Sequence, residues 1–223
     1  KLSPAQRLAI LRGNNESYVA LFDTPVASPE WRTERFAPLQ WTVAQIDEQE
    51  RRAMGELALA WRPFAGSDLL VVHASARSDR DSILVHTPDE EIEVMFPGIT
   101  ERYLVRAHNH LGSIRFWGER LIVTNGSVGF PLDGHTTAQY LLLERNRHGW
   151  QVCHQSVPYD VEAVIRRFHD TGYLEEVGPM ARLYLREVAT ATILFPPFLR
   201  FYGIWSSEGL TLEESLDRFL NLY

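Results

Sequence analysis

Cysteine is almost absent from this sequence, and its absence limits the kinds of site that the chain can build. The 223 residues include one cysteine, Cys153, so an internal disulfide and a thiolate-rich zinc site are both excluded. Low cysteine content is typical of a reducing compartment, and we expect a cytoplasmic protein.

Long apolar runs and an excess of positive charge are also missing. No run approaches the roughly 20 apolar residues that span a bilayer, so we expect no membrane insertion. Acidic residues outnumber basic residues by 29 to 22, which gives a net charge of −7. This charge argues against non-specific binding to nucleic acid. The length is sufficient for one large domain, or for a domain with an appendage.

Apolar runs and turn residues alternate in the order expected for an α/β protein. Buried strands are predicted at Leu8–Leu11, Asp68–His73, Arg102–Arg106 and Leu121–Thr124. Helical patterns cover Ser17–Phe22, Trp41–Trp61, Asp89–Phe96 and Val161–Thr171.

The second half of the sequence predicts a hairpin and then helices. Thr137–Glu144 and Trp150–Val157 flank the turn residues Asn146–Gly149, which is a β-hairpin signal. Residues 173–223 are mostly helical in pattern, with a break at Pro196-Pro197 and a capping box at Thr211–Glu214.

Polar side chains follow three of the predicted strands. Asn14 follows the first strand, His73 the second, and His108 and His110 the third. Ligand sites in α/β sheets form beyond the carboxyl ends of the strands. Imidazoles and amide oxygens are ligands for Zn, Mn, Fe or Ni, and two histidines two apart on an extended segment face the same side. Taken singly, each residue also fits a structural role, whereas their joint order favours a metal site.

Four short motifs in this order resemble those of the calcineurin-like metallophosphoesterases. They are Gly13-Asn14-Asn15-Glu16, His73-Ala74-Ser75-Ala76-Arg77, Ala107-His108-Asn109-His110 and Asn125-Gly126-Ser127-Val128-Gly129-Phe130-Pro131. The family's motifs at these places are Gly-Asn-His-Asp or Gly-Asn-Cys-Asp, His-Gly-Ser-Pro-Arg, Gly-His-Thr-His and Asn-Pro-Gly-Ser-Val-Gly. The resemblance is to the small bacterial phosphodiesterase and diadenosine-tetraphosphatase-like branch, and it covers about residues 5–172.

This resemblance implies an α/β fold with four layers. Two mixed sheets would form an α-β-β-α sandwich flanked by helices. The phosphoesterase domain would comprise residues 1–172, and residues 173–223 would form a helical extension packed on the same domain.

The resemblance also implies an activity. Members of the family hydrolyse phosphomonoesters or phosphodiesters with a hydroxide that bridges two divalent transition-metal ions, such as Mn, Fe, Zn or Ni. By motif, Asn14, His73 and His108 would bind one ion and His110 the other. The expected partner is a small phosphorylated substrate, with a nucleotide as one candidate.

Two further residues have roles implied by the motifs. Arg77 could reach a phosphate oxygen, although an exposed loop arginine is the alternative interpretation. Asn15 occupies the position of the family's usual catalytic histidine, which assists the leaving group.

Several features depart from the family pattern. The opening Asp-x-His and Gly-Asp motifs, which supply the remaining ligands, are not found, and we expect them upstream of Lys1. Ala74, Ala107 and Asn109 replace the usual Gly, Gly and Thr. These departures keep open a non-catalytic protein that uses the fold as a binding or scaffold surface.

The C-terminal segment is rich in aromatic residues, among them Tyr184, Phe198 and Trp205. Packing onto the sheet is one interpretation. A homodimer contact through the C-terminal helices and a cover over the site are the others.

Overall fold

The computed structural model describes residues 9–222, which divide into two compact units. The first contains residues 9–20 and Glu48–Asn125, and the second contains Leu21–Asp47 and residues 126–222. No helix within the described residues is long and apolar enough to cross a membrane. The domain boundary predicted at residue 172 stays a prediction.

The chain contains both helices and strands, and three strands of its larger sheet are parallel, which confirms the α/β class. The helices are α1 Asn14–Leu21, α2 Ala37–Gln45, α3 Glu48–Glu56, α4 Asp89–Met95, α5 Val161–Asp170, α6 Tyr173–Val177, α7 Pro179–Thr190, α8 Phe195–Ser207 and α9 Leu212–Leu220. The strands are β1 Ala60–Trp61, β2 Leu69–Val72, β3 Tyr103–Arg106, β4 Ser113–Trp117, β5 Arg120–Thr124, β6 Thr137–Asn146 and β7 Gly149–Pro158. Short 3-10 helices at Pro29–Arg32 and Glu34–Phe36 precede α2.

A five-stranded mixed sheet lies at the centre of the first unit, in the order β1-β2-β3-β5-β4. Strands β2, β3 and β5 are parallel, while β1 and β4 pair antiparallel at the two edges. The parallel strands are mostly apolar, as is typical of strands with both faces buried; Leu70 and Leu104 are at most 1% exposed. Since β2 and β3 run parallel, their carboxyl ends meet at one edge of the sheet.

Helix α4 supplies the core on one face of this sheet. Ile92 and Phe96 pack with Leu70, Leu104 and Ile122. Complete burial of a side chain such as Ile92 contributes about 1.5–3 kcal/mol. The helix begins with three acidic residues, whose charges favour the positive end of its dipole.

The second unit contains the predicted hairpin, which is confirmed. Strands β6 and β7 pair from Thr137 with Pro158 to Asn146 with Gly149. The helices of this unit have their own apolar core, in which Leu183, Phe198 and Phe219 are fully buried. The C-terminal aromatic residues pack within this helical core, together with α2.

The prediction of a strand at Leu8–Leu11 is wrong for residues 9–11, which form no strand, and Leu8 lies outside the described residues. Leu11 forms an isolated parallel bridge with Ala58, and Ile10 is 59% exposed. The run is apolar, but it pairs with the chain after α3 at this single residue and does not join the sheet.

Three other local predictions differ from the structure. Helix α1 begins at Asn14 rather than at Ser17. The helical pattern Trp41–Trp61 is interrupted because Ile46 has an extended backbone, with φ −113° and ψ 128°. Pro196 and Pro197 were expected to break a helix, but they lie in the first turn of α8. Proline is tolerated there because the backbone N–H groups of the first turn have no partner within the helix.

Candidate functional site

Three of the predicted ligands converge beside the carboxyl edge of the first unit's sheet. Asn14 opens α1, His73 directly follows β2, and His108 lies in the loop after β3. The Oδ1 atom of Asn14 lies 2.9 Å from His73 Nε2 and 3.3 Å from His108 Nδ1. The same two histidine nitrogens lie 3.3 Å apart. All three side chains are half-buried, so the cluster is sheltered without being sealed.

Gly13 allows His73 to approach the start of α1. Its N–H donates to Glu16 Oε2 at 2.8 Å, and its carbonyl accepts from Ser17, so it caps the helix that presents Asn14. A Cβ on Gly13 would lie 2.8 Å from two atoms of the His73 ring. Glycine is therefore needed here because of this close approach.

The loop after β3 has an unusual backbone. His108 and His110 have φ angles of 67° and 59°, in the left-handed region that side chains other than glycine rarely adopt. The extended geometry assumed from their spacing is therefore wrong. Conformations of this kind cost about 1–3 kcal/mol each and persist where surrounding contacts hold them.

Those contacts are made by Asn109, the residue between the two histidines. Its Nδ2 donates to Ser82 Oγ at 3.1 Å, and its Oδ1 accepts from the Ile83 N–H at 3.3 Å. The loop after β3 is thereby tied to the loop after β2.

Arg106 is a buried cation beneath the site, and the sequence reasoning did not assign it a role. It is 1% exposed, although it ends an otherwise apolar strand. Its guanidinium donates to carbonyl oxygens of Ala74, Asp81 and Ile83, to Asn109 Oδ1 at 2.6 Å and to Thr124 Oγ1. A charged residue within a buried strand was the signal that could have revealed it, since a buried charge requires such partners.

The environment keeps the two clustered histidines neutral. Burial is the largest cause, and together with the nearby His73, Arg106 and His110 it lowers the pKa of His108 to about 4. Burial also lowers the pKa of His73, while the carboxylates of Glu16 and Asp79 oppose that effect. Neutral imidazoles retain the lone pair that a metal ion requires.

The remaining predicted residues have varied surroundings. His110 is half-buried in the loop after β3 and acts electrostatically on both clustered histidines. Asn15 is exposed in the first turn of α1. Arg77 donates from Nε and Nη2 to the carboxylate of Asp81 at 2.8 and 3.1 Å. This pair holds the pKa of the Asp81 carboxyl below its usual value.

The turn that begins at Asn125 is also tied to the site. Its N–H donates to the carbonyl of Arg106 at 2.7 Å, so the turn is anchored to the end of β3.

The donor set fits one divalent ion. Ligand atoms at about 2.1 Å from a metal lie about 3 Å apart in adjacent positions, and the two imidazole nitrogens and the amide oxygen have this spacing. Between residues 9 and 222, no group of three or more His, Cys, Asp or Glu residues is placed to hold a metal. The amide oxygen of Asn14 is therefore an essential member of the candidate set.

Comparisons with known proteins identify the fold. No protein-family profile and no curated protein matches the chain. The structure is similar to that of a metallophosphoesterase from Sphaerobacter thermophilus, with a TM-score of 0.58 and 17% identity over 81% of this chain and 75% of that one. It is also similar to the hypothetical protein PH1004 from Pyrococcus horikoshii OT3, with a TM-score of 0.61 and 15% identity over 85% and 75% of the two chains. The predicted fold is confirmed: the chain has the calcineurin-like metallophosphoesterase fold, with one mixed sheet and a second sheet that is an antiparallel pair rather than mixed.

Proposed function

We propose that this protein is a metal-dependent phosphoesterase that hydrolyses a phosphomonoester or phosphodiester. The observation that supports this function is the convergence of Asn14, His73 and His108, whose donor atoms lie 2.9–3.3 Å apart in a metallophosphoesterase fold. Mn, Fe, Zn and Ni suit this mixture of imidazole and amide ligands. His110 is the candidate ligand for a second ion. A nucleotide is one candidate substrate.

Bound divalent ions would polarise a phosphoryl oxygen and lower the pKa of water at the site. The chain's own residues would supply the ligand atoms and would bind the phosphate. His73 and His108 offer neutral nitrogens because burial lowers the pKa of both. Asn14 offers an oxygen at the start of α1, whose amide groups favour the negative charge of a phosphate.

Arg77 and Asn15 are proposed to act on the substrate. The side chain of Arg77 is 43% exposed, and the donors that it does not give to Asp81 are available to a phosphate oxygen. Asn15 is exposed beside Asn14 and can orient a leaving group. Because an amide does not titrate, Asn15 cannot deliver a proton as the histidine of related motifs does.

The proposal is tested by measuring the bound metal and the rate of phosphoester hydrolysis in the same protein. We expect the full-length protein, supplied with Mn²⁺, to bind the ion and to hydrolyse a generic aryl phosphodiester or phosphomonoester. His108→Ala should reduce hydrolysis at least about 100-fold, in line with the loss of a metal ligand. His86→Ala is the matched control, since His86 is exposed in the same unit. Equal activity in the His108→Ala and wild-type proteins would overturn the proposal.

A second function is favoured by a separate observation. Asn15 stands in place of the usual catalytic histidine, and Ala74 and Ala107 stand in place of the usual glycines, as expected of a non-catalytic binding or scaffold protein. Metal analysis separates the two functions. About two transition-metal ions per full-length protein would support the enzyme, and a folded full-length protein that binds none would support the scaffold function.

A further inference from the structure

We propose that Arg106 and Asn109 form a clamp that positions His108 and His110 for metal binding. This inference rests on the proposed function. The two residues act through the histidines, so they are positioning residues.

The clamp is built around a direct contact. Arg106 Nη1 donates to Asn109 Oδ1 at 2.6 Å, and the guanidinium is 1% exposed. A hydrogen bond from a buried cation is stronger than one between neutral groups. The side chain of Asn109 is therefore fixed at the point where the backbone passes from one histidine to the other.

The same guanidinium holds the loop after β2. Its Nε donates to the Ala74 carbonyl at 2.6 Å, and its Nη2 donates to the Asp81 carbonyl at 2.8 Å. Ala74 directly follows His73. One side chain thus fixes the two loops that carry His73 and His108 relative to each other.

Arginine is suited to this task because its planar group directs donors to several separate acceptors. The acceptors here lie on two loops and on β5, where Thr124 Oγ1 accepts at 3.2 Å. Lysine would carry the charge but could not reach all of them at once.

The backbone shows why a clamp is needed. His108 and His110 both have positive φ, and Asn109 lies between them. Strained conformations persist where the surroundings over-determine them. Asn109 supplies these contacts: its Oδ1 accepts hydrogen bonds from Arg106 and from the Ile83 N–H, and its Nδ2 donates to Ser82. Without these bonds the two residues would relax, and the imidazoles would leave their present positions.

The test uses the full chain with three site variants and one matched control. Arg106→Met removes the cation, Asn109→Ala removes its acceptor, and Asn109→Asp keeps an acceptor oxygen. Arg62→Met is the control, because it breaks the ion pair with the buried Glu101 at the opposite end of β3. All measurements are made well below the unfolding temperature of every variant.

Two properties are measured. The first is the affinity and visible absorption spectrum of bound Co²⁺. The second is the set of backbone chemical shifts of His108 and His110 in the metal-free protein, which report the sign of φ. We expect Arg106→Met and Asn109→Ala to weaken Co²⁺ binding about 10–100-fold and to move these shifts away from left-handed values. Asn109→Asp should recover most of the affinity, and Arg62→Met should change neither property.

Two results would overturn the clamp. One is an affinity loss in Arg62→Met as large as that in Arg106→Met, since a general loss of stability would then explain both. The other is left-handed shifts that persist in Arg106→Met and Asn109→Ala. Should Arg106→Met fail to fold, Asn109→Ala decides alone. A wild-type chain that binds no Co²⁺ would count against the proposed function, and the chemical shifts would still decide the clamp.

Discussion

Substitution of Gly13 by alanine adds one methyl group at the most crowded point of the candidate site. The new Cβ would lie 2.8 Å from Cε1 and Nδ1 of His73 and 2.9 Å from Glu16 Oε2. Ordinary contact begins at 3.4 Å, so the ring or the helix start must move by about 0.6 Å. We expect Gly13→Ala to weaken both folding stability and metal binding.

The magnitude follows from two physical effects. Overpacking of a well-packed site costs about 1–3 kcal/mol. Alanine is also a poorer N-cap than glycine, which adds about 0.5–1 kcal/mol. Movement of the His73 ring would alter its 2.9 Å approach to Asn14 Oδ1, and metal affinity should fall with it.

Gly13→Ser separates these two effects. Serine is a good N-cap, but it carries the same Cβ. We therefore expect Gly13→Ser to remain destabilised by at least about 1 kcal/mol. Gly203→Ala is the control, because Gly203 lies within α8 and an added Cβ there would have no atom within 4 Å beyond its chain neighbours and the backbone of its own helix. That substitution should stabilise the protein by up to about 1 kcal/mol.

Urea unfolding followed by circular dichroism gives the stabilities, and calorimetric titration with Mn²⁺ gives the affinities. The reasoning would be refuted by a Gly13→Ala protein with wild-type stability and affinity. A fully stable Gly13→Ser protein would show that helix capping, rather than contact with His73, explains the glycine.

Two further predictions concern pH. The unfolded-state pKa of His108 is near 6.5 and its folded-state pKa is about 4, so the unfolded state binds more protons between these values. The metal-free protein should therefore lose about 1–2 kcal/mol of stability as the pH falls from 6.5 to 4. Urea unfolding of His108→Gln should show a smaller loss, and an equal loss would contradict the lowered pKa of His108. Burial raises the pKa of Glu187, whose Oε1 accepts from the Leu194 and Phe195 N–H groups at the start of α8. A raised carboxyl pKa means that stability is lost as the pH rises above the ordinary value of 4.5. In thermal unfolding, the stability of Glu187→Gln relative to wild type should therefore increase as the pH rises above 4.5, and a constant difference would contradict this.

The strands that carry the site were predictable because their signals are local. Leu69–Val72 is an uninterrupted apolar run, and Tyr103–Arg106 is apolar up to its final arginine, which is typical of strands buried on both faces. Strand β4 was not predicted because it lies at the sheet edge and alternates half-buried and exposed residues, with Phe116 75% exposed. A strand of this kind depends on the neighbour that it pairs with more than on its own residues.

The start of α1 shows how one local signal can support opposite interpretations. Glycine followed by asparagine predicts a turn, and on that ground the helix was expected to begin later. In the structure Gly13 is the cap, because Glu16 returns to its N–H and Asn14 already belongs to the helix. Whether this glycine forms a turn or caps the helix depends on His73, which is 60 positions away in sequence and whose ring leaves no room for a side chain at position 13.

The His108–His110 loop depends still more on distant residues. Sequence spacing placed both histidines in the loop correctly, but it could not predict their positive φ angles, which depend on bonds from Arg106 and from the Ser82–Ile83 segment. Two residues of this loop, Asn109 and Ala107, depart from the motif that the loop resembles. Asn109, in place of threonine, is the acceptor that a buried arginine requires, and His108 adopts the left-handed backbone although Ala107 stands where the family has glycine. The conformation of this loop therefore depends on Asn109 together with residues of the loop after β2, which no local sequence pattern reveals.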